Sequence, residues 1–202
     1  MKQKLIFKAL FISALIWASG VQAATKVDEA APDFTLIDSN GESVTLSAFK
    51  GKHVVLEWTN DGCPYVGKFY NSGTMQEMQA AYAAEDTVWL TIISSAPGKQ
   101  GHVNGEEANE LTASRDASPS HVLFDGDGKV GKMYGAQTTP HMYIIDPEGV
   151  LRYNGAIDSI RSADPADIAK ATTYVDAGFT ALGADQELDP KTTRPYGCSV
   201  KY

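Results

Sequence analysis

The chain has two cysteines, Cys63 and Cys198, and these are the residues best suited to chemistry. A β-branched, apolar stretch at 53–58 and a short loop precede Cys63, and Pro64 follows it. Because proline is favoured at the first helical position, this pattern predicts a strand, a loop and a helix that begins at Cys63. The N–H groups and positive end of that helix favour a thiolate, the nucleophile in disulfide exchange and in attack on peroxides. We therefore expect Cys63 to be the reactive sulfur, the alternative being a buried or half-cystine residue without chemistry.

Cys198 lies in the C-terminal segment from about 185 to 202, which we expect to be an irregular tail. A sulfenic acid on Cys63 condenses with a nearby thiol, so a tail that folds back would allow Cys198 to resolve it as a disulfide. Two alternatives stay open for Cys198. It is half of a permanent disulfide that pins the tail, or it pairs with another chain or stays free.

Thr139 and Pro140 stand directly before a predicted core strand at 142–146. A trans proline fits poorly into a strand ladder, whereas a cis Thr139–Pro140 bond makes a tight turn and exposes the Thr139 backbone. The alternative is an ordinary trans proline that opens the strand. His141 follows; it either lies near Cys63 and favours the thiolate or, as we prefer, points to solvent.

The rest of the chain alternates segments typical of strands and of helices. Strands are predicted at 33–37, 44–46, 53–58, 87–93, 121–124, 142–146 and 150–153, and helices from 63 and at 74–84, 105–114, 129–134 and 163–182. This order predicts a single α/β domain, with a mixed central sheet flanked by helices.

The first 23 residues have the pattern of a secretory signal peptide, with early lysines, an apolar stretch and a small-x-small ending at Val21-Gln22-Ala23. The apolar stretch is shorter than the roughly 20 residues that span a bilayer, so an uncleaved anchor is the weaker alternative. We therefore predict a periplasmic or secreted protein whose mature domain is 24–202, with no stable membrane association after cleavage. In such an oxidising compartment, an even number of cysteines suggests pairing.

The net charge of the chain is −8, and the predicted signal peptide carries three lysines and no acidic residue. The mature protein is therefore still more acidic. Nucleic acid and anionic lipid would repel such a protein, so neither is an expected partner.

Several segments resemble the AhpC/TSA and redoxin families of the thioredoxin superfamily. Residues 31–36 and 44–52 resemble the N-terminal signature of these families, and residues 58–66 resemble the active-site segment of the peroxiredoxin-like branch. Thr139-Pro140 matches the cis-proline position, and residues 197–202 resemble the tail of that branch. The resemblance covers nearly all of the predicted mature chain. It implies a thioredoxin-like fold, a reactive Cys63, and Thr139 and Pro140 facing that sulfur.

The chain departs from the family motifs at several positions. Val66 replaces the second cysteine of the thioredoxin C-x-x-C motif, so dithiol exchange within one motif is not available. Where peroxiredoxins have Thr or Ser three residues before the cysteine, this chain has Asn60, with Thr59 one residue earlier. We expect Thr59 or Asn60 to orient a peroxide. The candidates for the assisting arginine are Arg115, Arg152 and Arg161.

No cofactor or metal is expected. Copper-delivering proteins of this fold use two cysteines four residues apart and a histidine, and here Gly67 stands where the second cysteine would be, so a soft-metal site is incomplete.

These features lead to three hypotheses of function. The first is a thiol-dependent peroxidase, in which Cys63 attacks a peroxide, Cys198 resolves the product and an external thiol donor restores both. The second is an oxidoreductase that acts on disulfides of exported proteins. The third is a binding protein without catalysis, in which the disulfide is structural.

Overall fold

The structure is a computed structural model that describes residues 25–202, so the predicted signal peptide, 1–23, lies outside the described residues. The strands are β1 (Thr35–Asp38), β2 (Ser43–Thr45), β3 (Val54–Trp58), β4 (Val88–Ile93), β5 (His121–Phe124), β6 (Thr138–Thr139), β7 (His141–Ile145), β8 (Leu151–Gly155) and β9 (Cys198–Ser199). The α-helices are α1 (Pro64–Asn71), α2 (Thr74–Ala84), α3 (Gly105–Ser114), α4 (Lys129–Tyr134) and α5 (Tyr174–Gly183). Two 3-10 helices span Leu46–Phe49 and Pro165–Lys170.

One mixed sheet has the strand order β2-β1-β5-β4-β3-β7-β8. The central strands β3, β4 and β5 are parallel, whereas β7 is antiparallel to β3 and forms a hairpin with β8. Strands β6 and β9 pair with each other in a separate antiparallel ladder of two residues each. This small ladder joins the C-terminal tail to the segment before β7.

The two faces of the sheet support two hydrophobic clusters. Because successive side chains of a strand point to opposite faces, Val55 belongs to the cluster under α1, α2 and α5, whereas Val54 and Leu56 belong to the one under α4. Every residue of β3, β4 and β7 is buried, as expected for strands in the middle of a sheet covered on both sides. The carboxyl end of β3 therefore leads from a rigid core into the loop before Cys63.

Most predicted elements are confirmed. The helices at 74–84, 105–114 and 129–134 and the strand at 121–124 have the predicted bounds, and the other strands agree within two residues at each end. The mixed α/β architecture is confirmed as well. Within 25–202, no helix combines the length and the apolar composition needed to cross a bilayer.

The prediction of one long closing helix at 163–182 is wrong. The structure has the 3-10 helix Pro165–Lys170, then extended residues, then α5. Thr172 and Thr173 are β-branched and favour extended backbone. Their backbone also pairs with the segment after β8: Thr173 forms a bridge with Asp158, and the Ser159 amide donates to the Thr172 carbonyl at 3.0 Å. The same segment cannot make these bonds and continue a helix.

Candidate active site

Cys63 lies where the loop after β3 meets the first turn of α1. It is the N-cap residue of α1 and has extended backbone, and Pro64 occupies the first helical position. The Cys63 amide donates to the Asn60 carbonyl at 3.0 Å, which closes the loop, and the amides of Val66 and Gly67 donate to the Cys63 carbonyl. The sulfur therefore sits at the positive end of an eight-residue helix. Only 1% of Cys63 is exposed.

The structure brings Cys198 next to Cys63. In the β6–β9 ladder, Thr139 is the register partner of Cys198, and the Cys63 thiol donates to the Thr139 carbonyl at 3.0 Å. The Thr139–Pro140 peptide bond is cis, as predicted from the sequence. Both cysteines are free thiols, with Cys63 buried and Cys198 partly exposed. Four of the six predicted site residues, Cys63, Cys198, Thr139 and Pro140, therefore meet in one place.

The two thiols differ in acidity. Burial disfavours the Cys63 thiolate, but hydrogen bonds from Cys198, from the Thr139 side chain and from backbone amides outweigh burial, so the pKa of Cys63 lies below its ordinary value. Burial, the hydrogen bond with Cys63 and the negative charge of its thiolate raise the pKa of Cys198 to about 11. Cys63 is therefore the more acidic of the two thiols, and Cys198 is placed to donate to its sulfur when Cys63 ionises.

A glycine allows the tail to approach this closely. Gly197 has φ of 139°, a conformation that favours glycine, and a Cβ at this position would overlap the Thr139 carbonyl. Beyond β9, the Val200 amide donates to the Gln137 carbonyl at 3.1 Å, and the Tyr202 hydroxyl donates to the Ala136 carbonyl at 2.8 Å. The tail is thus fixed on both sides of Cys198.

Asn60 and Thr59 are the other two predicted site residues, and their side chains make different contacts from those of Cys198. The Asn60 amide donates to the Gln100 carbonyl at 3.1 Å, and its oxygen accepts from the Gly62 amide at 2.9 Å, so its side chain shapes the loop before Cys63. The Thr59 hydroxyl is buried with no hydrogen-bond partner among the described residues. Thr59 lines a small cavity beside α3 whose lining does not include Cys63.

Of the three candidate arginines, only Arg115 shares that cavity with Thr59. Arg115 forms an ion pair with Asp61, two residues before Cys63. Its guanidinium lies 4.8 Å from the centre of the Tyr70 ring. Arg152 instead pairs with Asp146 and Asp28 in another part of the molecule, and Arg161 is exposed.

The preferred prediction for His141, a solvent-facing side chain, is wrong. His141 is 1% exposed, and its ring lies between the Gln137 amide and the Asn154 side chain, with Nε2 at 2.8 Å from the Asn154 oxygen. Burial lowers the pKa of His141 to about 4. The ring is therefore neutral at pH 7 and supplies no positive charge to a Cys63 thiolate.

The family follows from a comparison with family models. The model of the AhpC/TSA family matches residues 27–154, which is more than half of the chain. The chain belongs to the AhpC/TSA family. This is a redoxin branch of the thioredoxin superfamily, as the sequence motifs indicate. The matched residues include Cys63 and the cis-proline but end before the tail that carries Cys198.

Solved structures agree with the thioredoxin-like fold of this AhpC/TSA member. An uncharacterized conserved protein from Geobacillus kaustophilus is 22% identical, with a TM-score of 0.76, over 88% of this chain and 92% of that chain. A hypothetical protein from Sinorhizobium meliloti 1021 is 22% identical, with a TM-score of 0.72, over 89% of this chain and 96% of that chain. A putative thiol:disulfide interchange protein DsbE from Chlorobium tepidum is 26% identical, with a TM-score of 0.52, over 65% of this chain and 85% of that chain. No curated protein matches the sequence.

Glu57 is a residue beside the site that the sequence reasoning missed. Its carboxylate is fully buried on the face of β3 that Val55 shares, and it accepts hydrogen bonds from Trp89 at 2.9 Å, Tyr70 at 3.0 Å and Thr91 at 3.1 Å. Burial raises the pKa of Glu57 despite these bonds. The signal was present: an acidic residue inside an otherwise apolar strand six residues before the cysteine.

No group of three or more His, Cys, Asp or Glu side chains in the described part of this AhpC/TSA chain is arranged to hold a metal ion. The site itself offers two adjacent thiols of unequal acidity, of which Cys63 is buried and Cys198 is partly exposed.

Replacing Glu57 by glutamine tests the cost of this buried acid. Because the folded state holds the Glu57 proton more tightly than the unfolded chain, the free energy of unfolding falls as pH rises from the ordinary pKa of 4.5 toward the raised one. We expect the stability of Glu57→Gln relative to wild type to increase over that range, by about 1.4 kcal/mol per unit of raised pKa. Urea unfolding between pH 4 and 8 measures it, with the exposed Glu110→Gln as control. Parallel pH curves for Glu57→Gln and wild type would contradict the assignment.

Replacing Gly197 by alanine tests the close approach of the tail. The added methyl group overlaps the Thr139 carbonyl, so we expect the β6–β9 ladder to open. Amide hydrogens of the 196–202 segment should then exchange with deuterium at least tenfold faster, while those of β3 stay unchanged. Gly149→Ala is the matched control, since Gly149 also has a positive φ but no atoms within 4 Å of its Cβ position. Unchanged exchange in the tail would refute the packing described here.

Proposed function

We propose that this protein is an exported thiol oxidoreductase that forms and breaks a disulfide between Cys63 and Cys198. The observation that carries the proposal is the register of the small ladder, in which Cys198 lies opposite Thr139 while the Cys63 thiol contacts the Thr139 carbonyl. The second sulfur of the C-x-x-C motif is absent from α1, and the tail instead brings Cys198 into contact with Cys63.

Exchange with a disulfide substrate uses both thiols in order. The Cys63 thiolate attacks one sulfur of the substrate disulfide, which forms a mixed disulfide and releases one substrate thiolate. Cys198 then loses its proton and attacks the Cys63 sulfur, which forms the Cys63–Cys198 disulfide and releases the second substrate thiolate. An external dithiol donor returns the two electrons. The lower pKa of Cys63 suits it to the first attack and to leaving during reduction.

Two neighbours support disulfides as the substrate class. The Chlorobium tepidum protein is described as a thiol:disulfide interchange protein, and a pneumococcal exposed lipoprotein thioredoxin is 27% identical, with a TM-score of 0.50, over 67% of this chain. An exposed lipoprotein also supports export, together with the signal-peptide pattern at 1–23 and a mature domain of 24–202.

Peroxide reduction is the second candidate, because the chain belongs to the AhpC/TSA family. Here the Cys63 thiolate attacks the peroxide oxygen and becomes a sulfenic acid, releasing an alcohol or water after protonation. Cys198 condenses with the sulfenic acid, which forms the same disulfide and releases water, and two thiol equivalents restore both cysteines. The surroundings of Asn60 and Thr59 favour this candidate less, because neither side chain contacts the Cys63 sulfur by a hydrogen bond.

Oxidation of the reduced mature protein, 24–202, tests the proposal. We expect one equivalent of oxidised glutathione to remove two hydrogens within minutes, and peptide mass spectrometry to place the new bond between Cys63 and Cys198. If disulfides are the substrate class, hydrogen peroxide should oxidise Cys63 no faster than it oxidises a free cysteine. If peroxides are the substrate class, it should oxidise Cys63 at least a hundredfold faster than a free cysteine.

Two variants serve as controls for this oxidation. Cys63→Ser should abolish fast reaction with either oxidant, whereas Cys198→Ser should stop at a mixed disulfide or at a sulfenic acid. Failure of the wild-type protein to form the Cys63–Cys198 disulfide with either oxidant would refute the proposed function, as would unchanged oxidation in Cys63→Ser.

A further inference from the structure

A buried polar cluster formed by Lys68, Asp158 and Tyr196 lies outside the site described so far. Lys68 Nζ donates to an Asp158 oxygen at 2.7 Å and to the Ile160 carbonyl at 3.3 Å, and it lies 3.4 Å from the Tyr196 hydroxyl. The Tyr196 hydroxyl donates to the other Asp158 oxygen. The side chains of Lys68 and Asp158 are 0% and 2% exposed. Each charge is therefore compensated by its partner rather than by water.

The cluster joins three separate parts of the chain. Lys68 lies on α1, the helix that begins after Cys63, and Asp158 lies in the segment after β8. Tyr196 lies in the tail, two residues before Cys198, and its ring packs edge-on against Tyr65 of α1 with 5.8 Å between ring centres. The contacts of the cluster thus link the elements that carry the two thiols.

The spacing of the cluster matches the spacing of the thiols. From Cys63 to Lys68 the helix advances by about 7.5 Å, at 1.5 Å per residue. From Cys198 back to Tyr196 an extended chain covers roughly 6.5 Å. The two contacts, Tyr196 with Lys68 and Cys198 with Cys63, therefore fit a single register of the tail along α1, and a tail shifted by one residue would break both.

We propose that the Lys68–Asp158–Tyr196 cluster is a positioning device that holds Cys198 in register with Cys63. This inference rests on the proposed function, and it explains why a buried ion pair is kept at the base of the tail. Burying two charges costs solvation energy that the pairing does not always recover, and in some proteins such groups are retained because they fix a geometry. Tyr196 is the residue of the cluster that belongs to the tail, and its hydroxyl contacts both charged side chains, Lys68 and Asp158.

Tyr196→Phe tests the proposal, because it removes the hydroxyl and keeps the ring. The quantity to measure is the equilibrium constant for exchange with glutathione. In this reaction the Cys63–Cys198 disulfide and two molecules of reduced glutathione give the two protein thiols and one molecule of oxidised glutathione. We expect Tyr196→Phe to shift this equilibrium toward the thiols by five- to tenfold, and tenfold corresponds to about 30 mV for a two-electron couple. The midpoint of the pH profile of Cys63 alkylation should also rise in the reduced variant, because Cys198 no longer holds its hydrogen bond.

Tyr82→Phe is the matched control. The Tyr82 hydroxyl also donates to a carboxylate, that of Asp176 at 2.5 Å, but this partner lies on α5 and not in the tail. We expect Tyr82→Phe to lower the melting temperature as Tyr196→Phe does and to change the glutathione equilibrium by less than twofold. If Tyr196→Phe does not fold, Tyr65→Leu removes the ring contact from a partly exposed position and should shift the equilibrium in the same direction.

The outcomes separate this proposal from the proposed function. The positioning role alone would be overturned if wild type forms the disulfide but Tyr196→Phe has the same glutathione equilibrium constant as wild type. It would also be overturned if Tyr82→Phe shifts that constant as much as Tyr196→Phe does. A wild-type protein that forms no Cys63–Cys198 disulfide would overturn the proposed function and the positioning role with it.

Discussion

The backbone contact between Thr139 and the tail is the constraint on which the rest of the site depends. It covers the Cys63 thiol and brings Cys198 beside it, and the hydrogen bonds from Cys198 are among those that outweigh the effect of burial on the pKa of Cys63. The ladder has only two residues on each strand, too few to hold a tail by their own hydrogen bonds. Its stability must come from the contacts on either side: the buried cluster at Tyr196, the glycine at 197 and the anchors at Val200 and Tyr202.

The polar groups around this contact show how a buried thiol of lowered pKa is accommodated. Lys68 and Asp158 neutralise each other, and the Asn60 amide satisfies backbone groups of the loop. His141 is kept neutral, so the hydrogen-bond donors rather than a nearby imidazolium favour the thiolate. Glu57 is the exception, since three donors do not offset the burial of its carboxylate. Such a group lowers stability at neutral pH, a cost that natural proteins retain mainly near functional sites.

The local features of the fold were accessible from the sequence, whereas the long-range ones were not. The helix start at Cys63 follows from Pro64, and the helix at 105–114 is fixed by the Asn104 capping box, both short-range effects. The pairing of Cys198 with Thr139 depends on packing between distant segments that no spacing encodes, so the sequence left it open. The break at Thr172 and Thr173 was missed because a tertiary bridge to Asp158 overrides helical periodicity. Lys68 was missed because a lysine on a helix normally faces solvent.

The pH dependence of Cys63 alkylation by iodoacetamide, compared between wild type and Cys198→Ala, measures whether the tail cysteine lowers the pKa of Cys63. The midpoint of the profile reports the pKa of Cys63 and is independent of how easily the reagent reaches the sulfur. We expect a wild-type midpoint below that of an ordinary cysteine and a higher midpoint in Cys198→Ala, because the thiol that donates to the thiolate is lost. Cys198→Ser, which retains a donor, should lie between them. Identical midpoints in wild type and Cys198→Ala would show that the tail cysteine does not act on Cys63 and would contradict a thiol pair in which Cys198 donates to Cys63.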